Sequence, residues 1–245
     1  MGIKLNLLKC QSGQQQVKFL GHVMSERGIE PDPENVRAVS ECKPKPPINV
    51  KQACRFLGMC RFYCKHVPNF AKITYPITEL TKANVTFVWT DKCQRSFDTL
   101  KHALTSFPVL VKADANKPFD LHSDASDVCV GASLNQVQTD GSLRPVGYFS
   151  RKLKPAETRY STTDKEALGI VLACRFFHHF FLWGTQFTIK TDHQPLTSVF
   201  RKKTKNQRMN RWMMNIHWWF CHASLASVRL FVKGLSVCSL GQRNE

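Results

Sequence analysis

The sequence predicts an α/β fold in which a mixed sheet with flanking helices follows a mostly helical segment. Two observations carry this expectation. After residue 110, short alternating or β-branched runs (Phe119–Asp124, Val128–Gln136, Arg144–Phe149) precede one long helical pattern, Ser161–Trp183, and a fourth run, Gln186–Thr191. Before residue 110, apolar residues recur at helical spacing instead. Strands interrupted by a long helix need a sheet with a helix packed on it. Composition agrees: 42% of the 245 residues are hydrophobic and 22% charged, which excludes a disordered or collagen-like chain.

Along the chain, Val17–Val23 reads as a short strand stopped by the Ser25–Gly28 turn. Pro31–Glu41 carries Val36 and Val39 behind a Pro-Asp-Pro-Glu opening, the pattern of a short helix. Lys43–Pro47 cannot lie inside a helix and reads as a corner. Phe56, Leu57, Cys60 and Tyr63 give Ala53–Tyr63 a helical stripe, and Cys93, Phe97, Leu100 and Leu104 do the same for Thr90–Leu104, which Phe107-Pro108 ends. In the second half, Thr139-Asp140-Gly141 is the turn before the third strand. Ser161 and the acids after it mark a helix entry. Pro195–Phe200 reads as the start of a further helix.

Thirty-five Lys and Arg against 18 Asp and Glu give a net charge of +17, which favours a polyanionic partner through counterion release. A membrane surface is the other polyanion, but no clean basic amphipathic helix favours it. No apolar run approaches the roughly 20 residues of a membrane helix. Met1–Cys10 lacks the features of a secretory signal, so an intracellular, cytoplasmic or nuclear location is expected rather than secretion. The ten cysteines include no Cys-x-x-Cys pair. Cys60, Cys64 and His66 come nearest to zinc-ligand spacing but lack an evident fourth ligand, so reduced, packed thiols are expected.

Three acids sit where chemistry is possible. Asp124 and Asp192 each end a strand, and Glu166 lies near the start of the long helix. Singly, each reads more readily as a turn-former or a cap than as a catalytic group, Glu166 as the capping partner of Thr163. Ser161 and Asp164 can cap the helix instead and leave Glu166 free. Together the three acids can converge on one sheet edge, where cations must neutralise them. An oxygen-only set suits Mg²⁺ or Mn²⁺, and two such ions support phosphodiester hydrolysis.

Ordered motifs then point to a family. Lys18-Phe19-Leu20-Gly21-His22-Val23, Phe56-Leu57-Gly58-Met59, Pro68-Asn69-Phe70, Pro76–Thr81 and Phe87-Val88-Trp89-Thr90 resemble the end of the palm and the thumb of gypsy-type LTR retroelement reverse transcriptases. Pro118–Ser126, Tyr160–Leu168 and Thr191–Leu196 resemble the attached ribonuclease H domain. The resemblance implies palm end at 1–24, helical thumb or connection at 25–110, a ribonuclease H-like domain at 111–214 and a divergent tail at 215–245. It implies divalent-metal-dependent cleavage of RNA in RNA–DNA hybrids. Asp124 would bridge two ions, with Glu166 and Asp192 each completing one coordination shell. Ser161, Thr162 and Lys165 match the helix entry and are structural. Arg151 and Lys152, after the third strand, are candidate phosphate contacts or part of a solvated turn, and His193 is a candidate nucleic-acid contact. Implied partners are an RNA–DNA hybrid or other nucleic acid and the remainder of a retroelement polyprotein.

Two departures temper that expectation. The polymerase's fingers and catalytic palm are expected upstream of Met1, so the chain is not expected to polymerise alone. The family closes with a helix bearing a fourth acid, yet from His193 onward this sequence has no Asp, and its only Glu is Glu245. Arg211-Trp212 fits the family pattern and His217–Glu245 does not. The two-metal site is therefore expected to be incomplete, with Asp127 the nearest substitute ligand. The alternative is a catalytically inactive nucleic-acid-binding remnant or pseudogene product.

Overall fold

The computed structural model describes residues 13–41, 46–106, 109–181, 187–196, 206–222, 228–232 and 235–240. It opens with an antiparallel meander of β1 (Gln16–Phe19), β2 (His22–Ser25) and β3 (Gly28–Pro31). The run expected as one strand, Val17–Val23, is therefore a hairpin. Leu20 and Gly21 both take positive φ, +46° and +72°, the backbone of a type I′ turn whose twist matches the flanking strands. At Gly28 (φ +135°) a Cβ would lie 2.2 Å from the Leu110 carbonyl oxygen. That close approach lets Ile29 and Leu110 exchange backbone hydrogen bonds of 2.8 and 3.2 Å.

Four helices follow. In α1 (Pro33–Glu41) Pro33 fills the first position and the Asp32 carboxylate accepts from the Glu34 amide at 3.1 Å. Asn49 caps α2 (Val50–Phe62) by accepting from the Gln52 amide at 2.9 Å, and a 3₁₀ turn, Cys64–His66, follows. A helix not expected from spacing, α3 (Phe70–Glu79), contains Pro76, and α4 (Asp91–Thr105) closes the segment. The apolar stripes of α2, α3 and α4 meet around Phe56, Cys60, Ile77, Phe97, Leu100 and Leu104. Each such buried side chain contributes about 1.5–3 kcal/mol. Of the corner expected at Lys43–Pro47, residues 43–45 lie outside the described residues, as does Phe107-Pro108.

The second sheet has the order β6-β5-β4-β7-β8-β9. Strands β4 (Phe119–Ala125), β5 (Cys129–Val137) and β6 (Leu143–Lys152) run antiparallel. Strand β7 (Phe187–Thr191) pairs parallel to β4, β8 (Val228–Val232) parallel to β7, and β9 (Leu235–Leu240) antiparallel to β8. The four expected strands are thus joined by two more from the segment expected as tail. Helix α5 (Thr162–Phe181) lies between β6 and β7 in the chain, and α6 (Gln207–His222) crosses residue 214/215 without a break. Of the helix expected at Pro195–Phe200, residues 197–200 lie outside the described residues, and Trp183 does likewise for α5.

Alternation sets the two faces of this sheet. Phe119, Leu121 and Ser123 of β4 are buried, and the first two join Leu134, Phe177, Phe187, Ile189 and Ile216 in a core formed with α5 and α6. Asp120, His122 and Asp124 point the other way. On that opposite face α3 packs against β6: the Ala71 amide donates to Ser150 Oγ at 2.9 Å, and Lys152 pairs with Glu79 and lies over the Tyr75 ring. No helix among the described residues is long and apolar enough to cross a membrane.

Candidate active site

The parallel β4–β7 pairing aligns His122 with Lys190. Continuing that register two residues brings Asp124 level with Asp192, which directly follows β7. Both strand ends therefore present an exposed carboxylate at the carboxyl edge of the sheet, a common position for ligand sites in α/β folds. Glu166 lies in the second turn of α5, which packs against β4 and β5, and its Oε1 accepts from the Ala125 amide at 3.2 Å.

Electrostatics join the three acids. Glu166 is only 5% exposed, and burial pushes its carboxyl up to about 7, with the charges of Asp124 and Asp192 adding to the rise. Its Oε2 is buried and has no hydrogen-bond partner among the described residues. Glu166 thus feels the charge of both aspartates. Among the described residues no three His, Cys, Asp or Glu side chains are gathered closely enough to hold a metal ion. The donor set itself is all oxygen, the type that suits a hard divalent cation, and one of its buried oxygens has no compensating donor among the described residues. The Cys60, Cys64 and His66 grouping is not such a set either; Cys60 is a buried free thiol whose pKa burial pushes up to about 12.

The first turn of α5 is held by four side-chain bonds. Ser161 Oγ accepts from the Asp164 amide at 3.2 Å, so Ser161 is the cap and the Glu166 carboxylate is not spent on capping. Thr163 Oγ1 meets His193 Nε2 at 3.0 Å, which ties the turn before Glu166 to the residue after Asp192. Asp164 receives Arg208 of α6 at 2.7 Å and Asn206 at 3.2 Å, while the Arg208 guanidinium lies 3.8 Å from the Tyr160 ring centroid. His193, expected as a nucleic-acid contact, makes the Thr163 tether within the chain. Spacing did not reveal the Thr163–His193 and Asp164–Arg208 bonds because the partners are 30 and 44 residues apart. Ser161→Ala should cost about 1 kcal/mol, read as a lower urea midpoint with an unchanged slope.

Other expected contacts lie elsewhere. Arg151 and Lys152 are the last residues of β6 rather than part of a solvated turn. Arg151 donates to Glu157 at 2.8 Å, and Lys152 pairs with Glu79. Asp127 is almost fully exposed and is bonded at 2.8 Å to Lys165, which holds its carboxyl below the usual range.

Residues 89–189 match the family described as the RNase H-like domain found in reverse transcriptase, a span that includes Asp124 and Glu166 and stops short of Asp192. The Tf2-3 and Tf2-4 transposon polyproteins of Schizosaccharomyces pombe are 36% identical over 213 residues, covering 86% of this chain. The chain spans only 16% of those polyproteins. Among solved structures, a foamy viral protease-reverse transcriptase (dRH) in complex with double-stranded DNA superposes with a TM-score of 0.69 at 18% identity, over 91% of this chain and 38% of that one. The foamy viral enzyme in complex with an RNA/DNA hybrid gives 0.68 at 18% identity, over 95% and 31%. At that identity the likeness is one of fold.

Proposed function

We propose that the chain, whose residues 89–189 match the RNase H-like domain found in reverse transcriptase, binds RNA–DNA hybrids and hydrolyses the RNA strand with divalent metal. The observation that carries this reading is the buried Glu166 carboxyl, pushed up to about 7 and facing the charges of Asp124 and Asp192 at the carboxyl edge of the sheet. A protein that needed no cation there would gain by losing one of those charges. The +17 charge supplies sequence-independent attraction to nucleic acid, and the similar foamy viral structures hold duplexes. Recognition would rest on groove shape and 2′-hydroxyls.

Asp124, Glu166 and Asp192 would hold Mg²⁺ or Mn²⁺, which when bound supplies hydroxide at neutral pH and neutralises the leaving oxygen. The chain's own part is positional. The strand pairing keeps Asp124 and Asp192 level, and the Thr163–His193 and Asp164–Arg208 bonds fix the turn that leads to Glu166. With no Asp beyond His193, a fourth acid ligand is lacking from the later part of this chain apart from Glu245. The expected result is slow cleavage of labelled RNA in a hybrid, faster with Mn²⁺ than with Mg²⁺, whose octahedral demand is stricter, and none with EDTA. A second reading, binding without cleavage, is favoured by the lack of a gathered metal-ligand set among the described residues. Hybrid binding without RNA cleavage in either ion selects it. No binding at low salt removes both readings.

A further inference from the structure

Asp124 of β4, Gly131 of β5 and Ser150 of β6 are successive cross-strand partners and so form one row on the face opposite α5. The start of α3 sits on that row. Asn69 takes the left-handed conformation (φ +54°), and its Oδ1 would lie 2.9 Å from a Cβ at Gly131, so the absent side chain makes room for it. The next contact is the Ala71 amide on Ser150 Oγ. Asn69, Lys72, Asp124, Ser126, Gly131 and Ser150 line one narrow cleft. The helical segment thus reaches the end of the row that carries the acid.

The cations nearby differ in their commitments. Arg151, Lys152, Lys165 and Arg208 are each ion-paired with a carboxylate, whereas Lys72 is exposed and makes no ion pair among the described residues. Its charge is felt inside the sheet: burial pushes the Cys129 thiol up, and Lys152 and Lys72 oppose the rise. Three carboxylates alone repel a phosphodiester. A cation held beside one of them turns the same edge into a surface that a polyanion can approach.

We infer that Lys72, presented by the first turn of α3 across the cleft from Asp124, is a backbone-phosphate contact for the hybrid bound at this edge. The inference rests on the nucleic-acid reading above and deepens it: the sequence-expected pair Arg151 and Lys152 is spent on Glu157 and Glu79, and the phosphate contact comes from the helical segment instead.

The test uses the full chain and a fluorescent RNA–DNA hybrid in EDTA, with affinity measured over a range of salt concentrations. Lys72→Gln should leave the melting temperature unchanged, weaken binding several-fold at low salt, and lower the log–log salt slope by about one. Lys72→Arg should retain both. In a second measurement, a genetically encoded photo-cross-linking residue in place of Lys72 should label nucleotides next to the position where the parent chain cleaves. If the parent binds and cleaves while Lys72→Gln keeps the parental slope and affinity, the inference is overturned and the nuclease reading stands. Adducts far from the cleavage position overturn it in the same way. A parent chain that binds no hybrid overturns both. A parent that binds but does not cleave, with the slope still reduced in Lys72→Gln, supports the contact and removes the nuclease reading alone.

Discussion

Asp124→Asn is expected to lower Mn²⁺-dependent cleavage of the RNA strand by at least about 100-fold, with hybrid affinity in EDTA no weaker than that of the parent. Removing a group that only supports a metal ligand typically costs about 10–100-fold, so removing a ligand should cost no less. The substitution is nearly isosteric, and the Asp124 side chain makes no ion pair among the described residues and is exposed at the end of β4. Stability should therefore move by less than about 0.5 kcal/mol, which separates a lost ligand from a lost fold. Losing the Asp124 charge also removes one of the causes that raise Glu166, so the Glu166 titration should shift downward in the variant. Asp127→Asn is the informative companion. Its carboxylate is bonded to Lys165 at 2.8 Å, so cleavage should persist there. Equal losses from both substitutions would make Asp127 the missing ligand and undo the three-acid account.

The parts of the fold that were legible are those set by local pattern. Helix α5, expected over Ser161–Trp183, is described over Thr162–Phe181, because a capping serine and a continuous apolar stripe are both local signals. Strands β4 to β7 also lie where the alternating and β-branched runs put them. The meander was misread because Leu20 fills a positive-φ position where Asn or Asp is the usual signal. Helix α3 was missed because Pro76 lies inside it and interrupts the helical reading. Strands β8 and β9 drew no expectation because the stretch after His217 departs from the family pattern that guided the reading there. Their pairing, like the parallel β4–β7 contact, is fixed by tertiary packing rather than by spacing.

The site divides the same way. Each acid was visible as a residue at the end of an element, and the strand register explains why two of them are level. What spacing did not reveal is the fate of the basic residues. Glu79, which claims Lys152, lies 73 positions earlier, and Lys72 belongs to a helix that was not read at all. Charge complementarity across such distances depends on how α3 packs on β6. No local window contains that information.

Glu166→Gln is expected to stabilise the metal-free protein at alkaline pH, by on the order of 2 kcal/mol at pH 8, while leaving stability near pH 4 almost unchanged. The sign follows from burial. The folded Glu166 carboxyl titrates at about 7, against the ordinary 4.5 that the unfolded chain takes. Below 4.5 the group is protonated in both states and costs nothing. Between 4.5 and 7 the unfolded chain ionises first, so the parent loses stability as pH rises, and above 7 the loss is constant. Glutamine keeps the shape and the carbonyl that accepts from Ala125, yet never carries the charge, so its stability should stay flat across that window. Denaturant midpoints in EDTA at pH 4, 6 and 8 measure the difference. Adding Mn²⁺ at pH 8 should then raise the parent and leave Glu166→Gln nearly unmoved, because a cation bound only by the folded state stabilises it by mass action. A variant less stable than the parent at pH 8 would mean that the ionised carboxylate is a structural asset, and the argument from a costly buried charge to a cation site would fail with it.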